Sequence, residues 1–172
     1  ISFKMGLIFV WKTCYYVRNE CKQNKQIKSH YNGQLKLLTF LPFYHIFGFV
    51  AVYVWFAFFS RTFVSLKDFD GQTILNTIKR HGVTHVFAVP LFWDTVYKKA
   101  IATVKARGEK IWKKFNKGMA IADKLGNSAL GRAFSRKAFA EVRKNMFGNS
   151  VLFMISGGSC IDGKVLRFFN NV

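Results

Sequence analysis

From Leu37 to Ser60 the chain carries no formally charged side chain, and this run, bracketed by Lys36 and Arg61, is rich in Phe, Val, Tyr and Trp. Two environments accept such a stretch. A bilayer does, since about 20 consecutive apolar residues span its hydrocarbon core as a helix. The interior of an α/β domain does as well, since a strand buried on both faces and a helix packed all round are apolar throughout. Pro42, His45 and Gly48 all fall in the first half of the run. A proline fixes φ, removes a backbone donor and turns the residue before it away from helix. A break after Leu41 is therefore expected, with a strand over Leu35 to Leu41 and a separate helix over Ile46 to Ser60, too short to span alone. The membrane span over 37–60 stays as the alternative.

Size and charge narrow the choice. At 172 residues and 51% hydrophobic content the chain is one domain's worth, with ample material for a core. Its formal net charge is +19, unevenly placed: residues 1–36 hold 7 basic and 1 acidic side chain, 37–97 hold 4 and 3, 98–144 hold 14 and 3, and 145–172 hold 2 and 1. Such a field draws nucleic acid, anionic lipid headgroups or phosphorylated substrates, and a plain solvated face has the same composition. Against nucleic acid, no aromatic-interleaved RNA-binding pattern and no zinc-ligand spacing is present. The three cysteines, Cys14, Cys21 and Cys160, are odd in number and form no CxxC pair, which fits a reducing, cytoplasmic setting. The chain opens on Ile1 without a basic-then-apolar leader, as expected for a piece of something longer.

In chain order, Met5 to Val10 reads as a strand, Lys12 to Lys25 as helix-compatible and Lys22 to Gly33 as a polar loop. Arg61 to Leu66 has the β-branched content of a short strand. Asp70 is placed to cap a helix whose buried stripe is Ile74, Leu75 and Ile78 and whose end is His81-Gly82. Val83 to Val89 reads as a strand stopped by Pro90, followed by a helix to Ala106. Between Glu109 and Asn145 two amphipathic helices are expected, one burying Ile111, Phe115, Met119 and Ala122, the other Leu130, Phe134, Ala138 and Val142, with Gly126 as hinge. Val151 to Ile155 reads as a compact apolar strand, Ser156 to Ser159 as a glycine turn, and Asp162 as the start of a last helix through Phe168. This alternation predicts an α/β fold of parallel βαβ units with helices flanking a buried sheet.

Several of these segments resemble one family. Leu38-Thr39-Phe40-Leu41-Pro42-Phe43-Tyr44-His45-Ile46-Phe47-Gly48 resembles the LPLFHxxG motif of the adenylate-forming, or AMP-binding, enzymes. Ile78 to Pro90 is similar to their I.k..vT...gVP strand, and Ile155-Ser156-Gly157-Gly158-Ser159 to their SGGA turn. Lys110-Ile111-Trp112 through Phe147-Gly148 is similar to the basic helical insertion of long-chain fatty acyl-CoA synthetases. The resemblance runs from about Gly6 to Val172. It implies that residues 1–172 are the central part of a large N-terminal adenylation domain, with 107–148 as an insertion.

In that family a fatty acid and ATP, with Mg2+, form an acyl-adenylate, and the acyl group then passes to the thiol of coenzyme A. The resemblance puts His45 at the substrate carboxylate, where an imidazole hydrogen-bonds the carboxylate or adenylate oxygen. A satisfied core histidine is the plain alternative. Gly157, Gly158 and Ser159 would line the adenine and acyl side of the same cleft, where a larger side chain would keep a flat base off the backbone; an ordinary strand-to-helix turn looks the same. Phe43, Tyr44 and Trp55 would pack along the acyl chain, or simply in the core. The basic insertion would suit peripheral contact with an anionic membrane. Ile1 to Gly6 does not supply the family's glycine-rich phosphate loop ending in Pro-Lys-Gly, and the magnesium-binding YGxTE motif, the ribose-binding aspartate and the catalytic lysine are not among these residues. The 172 residues alone are therefore expected to make no acyl-CoA.

Overall fold

A computed structural model describes residues 35–54, 62–66 and 70–172. The expected strand Met5–Val10, the helix over Lys12–Lys25, the loop Lys22–Gly33 and Trp55 lie outside these residues.

Four short strands form a sheet in the order β2-β1-β3-β4, namely β1 Lys36–Thr39, β2 Thr62–Ser65, β3 His85–Ala88 and β4 Phe153–Ser156. β1 pairs in parallel with β2, Leu38 opposite Val64, and with β3, Leu38 opposite Val86. The bonds from Phe153 N–H to the Thr84 carbonyl and from Gly157 N–H to the Ala88 carbonyl climb both chains together, so β4 also runs parallel to β3. All four residues of β3 are buried, as are Leu37, Leu38 and Thr39 of β1, whereas β2 and β4 at the two ends of the described sheet are largely exposed or half-buried. This is the burial that parallel central strands require, and it explains why the charge-free run begins on β1.

The strand starts are tied together at Thr84. Its N–H donates to the Lys36 carbonyl at 2.8 Å, and its hydroxyl receives the Lys36 N–H at 2.8 Å while lying 3.0 Å from that carbonyl and 2.9 Å from His85 Nδ1. Its carbonyl accepts from Leu152 and Phe153 N–H at 2.8 and 3.1 Å. One residue thus sets the register of β1, β3 and β4. The His85 ring beside it is buried and stacks on Phe153, with centroids 5.2 Å apart.

The molecule divides into two compact units, one reaching to Phe87 and including Ser150–Ile155, the other made of Ala88–Asn149 and Ser156–Val172. In the first, Leu35, Leu37, Leu41, Val52 and Phe87 form a core closed by Phe40, Phe47, Phe63 and Ile155. Helix α1, Gly71–His81, begins as expected: the Asp70 carboxylate accepts from Gln72 and Thr73 N–H at 2.7 and 3.2 Å. It ends at Gly82, whose φ of 61° is left-handed, and it buries Ile74, Leu75 and Ile78.

The second unit holds α2 Pro90–Ala106, α3 Glu109–Leu125, α4 Ala129–Ala138, α5 Ala140–Phe147 and α6 Gly163–Asn171. Pro90 opens α2, where its missing donor costs nothing. Asp162 caps α6 by accepting from Lys164 N–H at 2.6 Å. The core is aromatic, with Trp93 edge-on to Phe92, Phe147 and Phe169, and Phe115 edge-on to Phe139.

Four expectations need correction. The second basic helix is two helices, broken at Phe139, whose φ of −109° and ψ of 13° depart from helix while its ring is buried. Gly118 of α3 makes this possible, since a Cβ there would stand 3.3 Å from the Phe139 ring. The break shifts the buried face, so that Leu130 is 75% exposed and Ala138 also faces solvent, while Gly131, Met146 and Phe147 are buried instead. On α3, Phe115 and Ala122 are buried but Ile111 is exposed. The strand expected over Val151 to Ile155 is Phe153–Ser156 and one-sided, with Leu152 and Met154 exposed. The helix expected from Ile46 is wound as a π-helix over Gly48–Val54. The uncharged run is therefore strand, turn and helix over its described part, and among the described residues no helix is long and apolar enough to cross a membrane.

Two measurements test this. Thr84→Val keeps the shape but orphans the Lys36 N–H, and should lower unfolding stability in urea by about 1–3 kcal/mol, with Thr84→Ser close to the parent. In the second unit, Arg167 bonds the Asp123 carboxylate through two nitrogens and Asn171 adds a bond at 2.6 Å. The Arg167 bond holds the Asp123 carboxyl below its ordinary value. A carboxylate with a lowered folded pKa stabilises above its unfolded value, about pH 3.9, and that contribution is lost as pH falls through the folded one. Thermal melts should show this acid-side loss, and Asp123→Asn should remove it.

Candidate active site

After β1 the chain passes through Leu41 and Pro42 into a tight turn that delivers His45 to the start of the helix. His45 N–H donates to the Pro42 carbonyl at 3.2 Å, closing the turn, and the His45 carbonyl accepts from Phe49 N–H at 2.9 Å. The imidazole itself acts as the helix cap, Nδ1 accepting the Phe47 N–H at 3.2 Å. A ring nitrogen that accepts carries no proton, so in the neutral imidazole the proton sits on Nε2. His45 is exposed. The arrangement is a donor N–H, fixed in tautomer and direction by the backbone of the next turn and presented at a helix N-terminus, where the unpaired amides favour negative charge.

Gly48 makes the turn possible. It is buried, and a Cβ on it would stand 2.3 Å from the Pro42 carbonyl oxygen and 3.3 Å from the Leu41 side chain. The spacing from Pro42 through His45 to Gly48 is thus a packing requirement as much as a chemical one, since the first helical turn lies directly on the proline carbonyl. Thr39, one residue before the run leaves the strand, is buried and donates to the Val64 carbonyl at 3.2 Å, anchoring the other side of the turn to β2.

Of the aromatic residues expected along a substrate chain, Phe43 and Tyr44 flank His45 in this turn, with 51% and 94% of their surface exposed. Phe43 meets Tyr53 edge-on at 5.6 Å, and Tyr53 in turn stacks on Phe49 and on Phe63, each at 6.0 Å. Phe49 and Tyr53 stand four residues apart on the π-helix, and these ring contacts hold it to the turn and to β2. Phe49, Tyr53 and Phe63 were not singled out by sequence; the first two had only their position in the apolar run as a signal, and Phe63 only its place in the short strand expected after it.

Gly157, Gly158 and Ser159 follow β4 in the second unit. Gly157 N–H extends the pairing with the Ala88 carbonyl at 3.1 Å, and Gly158 has a φ of 92°, a conformation that L side chains rarely adopt. The turn therefore offers backbone without Cβ atoms, followed by the exposed Ser159 and Cys160, a surface against which a flat ring can lie. Among the described residues no three His, Cys, Asp or Glu side chains gather to hold a metal ion.

Residues 10–172 match the family described as AMP-binding enzyme. Over 75 residues, 44% of this chain, the sequence is 36% identical to 4-chlorobenzoate--CoA ligase of Pseudomonas sp. (strain CBS-3). That segment spans 14% of the relative's length. No solved structure matches the chain.

Gly48→Ala tests the packing of the turn. The added methyl meets a backbone oxygen, which has no rotamer to escape into, so a loss of about 1–3 kcal/mol in denaturant unfolding is expected. Helix content by circular dichroism should fall little, because the change is confined to one turn.

Proposed function

This chain belongs to the AMP-binding enzyme family, and on that premise we propose that it is the central part of an acyl-CoA ligase that activates a carboxylic acid with ATP and delivers the acyl group to coenzyme A. In the first step a carboxylate oxygen attacks the α-phosphorus of ATP, a P–O bond forms, and pyrophosphate leaves with the electrons of the broken bond. In the second, the coenzyme A thiolate attacks the acyl carbon and AMP leaves.

The observation that carries the reading is His45, with Nδ1 engaged by the Phe47 amide and Nε2–H directed away from it. An Nε2–H donor aimed at the carboxylate orients it for attack, and the same donor serves the acyl oxygen of the adenylate when charge builds there. Because it needs no reorientation between the steps, its worth is that of a preorganised dipole. Gly157, Gly158 and Ser159 take the adenine or the acyl side by leaving backbone bare. Phe43 and Tyr44 line the path of the acyl chain.

For the acid itself the reading is a long-chain fatty acid, supported by the similarity of residues 107–148 to the basic helical insertion of the long-chain enzymes. A second reading, an aromatic acid, is favoured by the name of the Pseudomonas relative and by the column of exposed rings at Phe43, Phe49 and Tyr53. The experiment is acyl-CoA formation by the full-length protein containing this segment, with palmitate and with benzoate as competing acids. Palmitate should be used in preference, and a preference for benzoate would replace the first reading by the second. His45→Ala should lower kcat by about 100-fold, as loss of one oxyanion donor does. His45→Gln, whose amide N–H reaches toward the Nε2 position, should recover part of it. An unchanged kcat in His45→Ala would remove the histidine from the mechanism.

A further inference from the structure

The glycine turn of the second unit is fixed at one end by the Gly157 amide on the Ala88 carbonyl. Its other end runs through Cys160 and Ile161 into the Asp162 cap, so it moves with α6. Among the described residues, no side chain of another element bonds to the chain between Gly158 and Leu166. The helix is bedded on the buried Val165 and Phe168, but apolar burial is non-directional and leaves its tilt open. Direction comes from polar ties, and these sit at the far end of α6. Arg167 and Asn171 bond Asp123 of α3, and Arg143 Nη1 of α5 donates to the Val172 carbonyl.

Arg143 does more than hold Val172. Its Nη1 also donates to the Ser135 carbonyl at 3.2 Å and its Nη2 to the Arg136 carbonyl. In an unbroken helix residue 143 would stand about 11 Å beyond those carbonyls. The break at Phe139 folds it back onto them. Carbonyls at helix ends lack intrahelical partners, and one guanidinium fork here joins two on α4 to one at the end of α6. Among the described residues no carboxylate pairs with this half-buried cation. Burial, and then the charge of Arg136, hold its pKa below the ordinary guanidinium value.

We propose that Arg143 is a positioning residue for the nucleotide: by holding the far end of α6 to α4, it sets where the glycine turn presents its bare backbone, on the reading that gives Gly157, Gly158 and Ser159 to the adenine side. The helix acts as a lever. Phe168, edge-on to Tyr97 at 5.1 Å, is its pivot. Val172 lies about 6 Å beyond that ring along the axis and Asp162 about 9 Å before it, so a shift at the far end is about half as large again at the turn. Arg143 touches neither the turn nor a substrate and works through α6 alone.

The test uses the full-length protein containing this segment. Arg143→Met keeps the side-chain length and removes the fork. It should raise the Kd for AMP, read by calorimetry, and the KM for ATP by about tenfold, with kcat and the KM for the acid close to those of the parent. A merely structural role lowers the folded fraction, and so the apparent kcat, with both nucleotide constants unchanged; that result, or a rise confined to the KM for the acid, would overturn the proposal. Amide hydrogen exchange reads the same device without ligand. The bonded amides of Gly157, Lys164 and Leu166 should exchange faster in Arg143→Met, with those of Gly71–His81 unchanged. Arg143→Lys, one nitrogen in place of a fork, should fall between the two, and it carries the test if Arg143→Met does not fold. Absence of AMP binding by the unaltered protein would sink the proposed function and this assignment together, whereas unchanged exchange at the three amides would sink this assignment alone.

Discussion

The hydroxyl and amide of Thr84 hold the first unit in register. A parallel sheet has no tight hairpins to align its strands, because each neighbour arrives by a long crossover, so alignment must come from contacts made after the chain has travelled. Thr84 supplies them at one point, gripping Lys36 across 48 residues with its amide and side chain while its carbonyl receives the start of β4. Once β1 is aligned to β3, Leu37, Leu38 and Thr39 are buried, the strand ends at Thr39, and the turn through Pro42 that carries His45 follows from it. A threonine is suited to this because its β-branch favours strand and its hydroxyl accepts from one backbone group while donating to another.

His45 shows how folding and chemistry share one side chain. As a helix cap it spends Nδ1 on the Phe47 amide, and that use assigns the proton to Nε2. The cap is thus the reason the other nitrogen has a defined role. Gly48 and Pro42 have no reactive group, yet they determine where the imidazole stands, because the glycine is the only residue that fits against the proline carbonyl. Of the letters in this motif, most hold the chain, and the proposed function gives one of them to the substrate.

What could be read from the sequence was what local chemistry controls. The Asp70 cap, the left-handed Gly82 and the helix start at Asp162 each depend on a few neighbouring residues and stand where expected, whereas the strand expected to reach Leu41 ends at Thr39 and the helix expected from Leu91 already begins at Pro90. The misreadings arose where a distant residue decides. Leu130, Phe134, Ala138 and Val142 form a good helical stripe on paper, but Phe139 enters the space above Gly118 and breaks the helix, and no local signal in α4 reports a glycine on α3. The π winding of Gly48–Val54 likewise has no local signal in the sequence. At the site, the motif located His45, whereas its tautomer emerged only from the hydrogen bond.

The ring column has a consequence for how this stretch can change over generations. Phe43, Phe49, Tyr53 and Phe63 come from a turn, a helix and β2, and they meet only because the counts of residues between them are what they are. Swapping one ring for another of similar size leaves the column standing. Inserting or deleting a single residue between 49 and 53 rotates Tyr53, the ring all the others meet, out of line with Phe49. Divergence here should therefore proceed by replacement at constant length, with gaps in related chains falling on either side of the column.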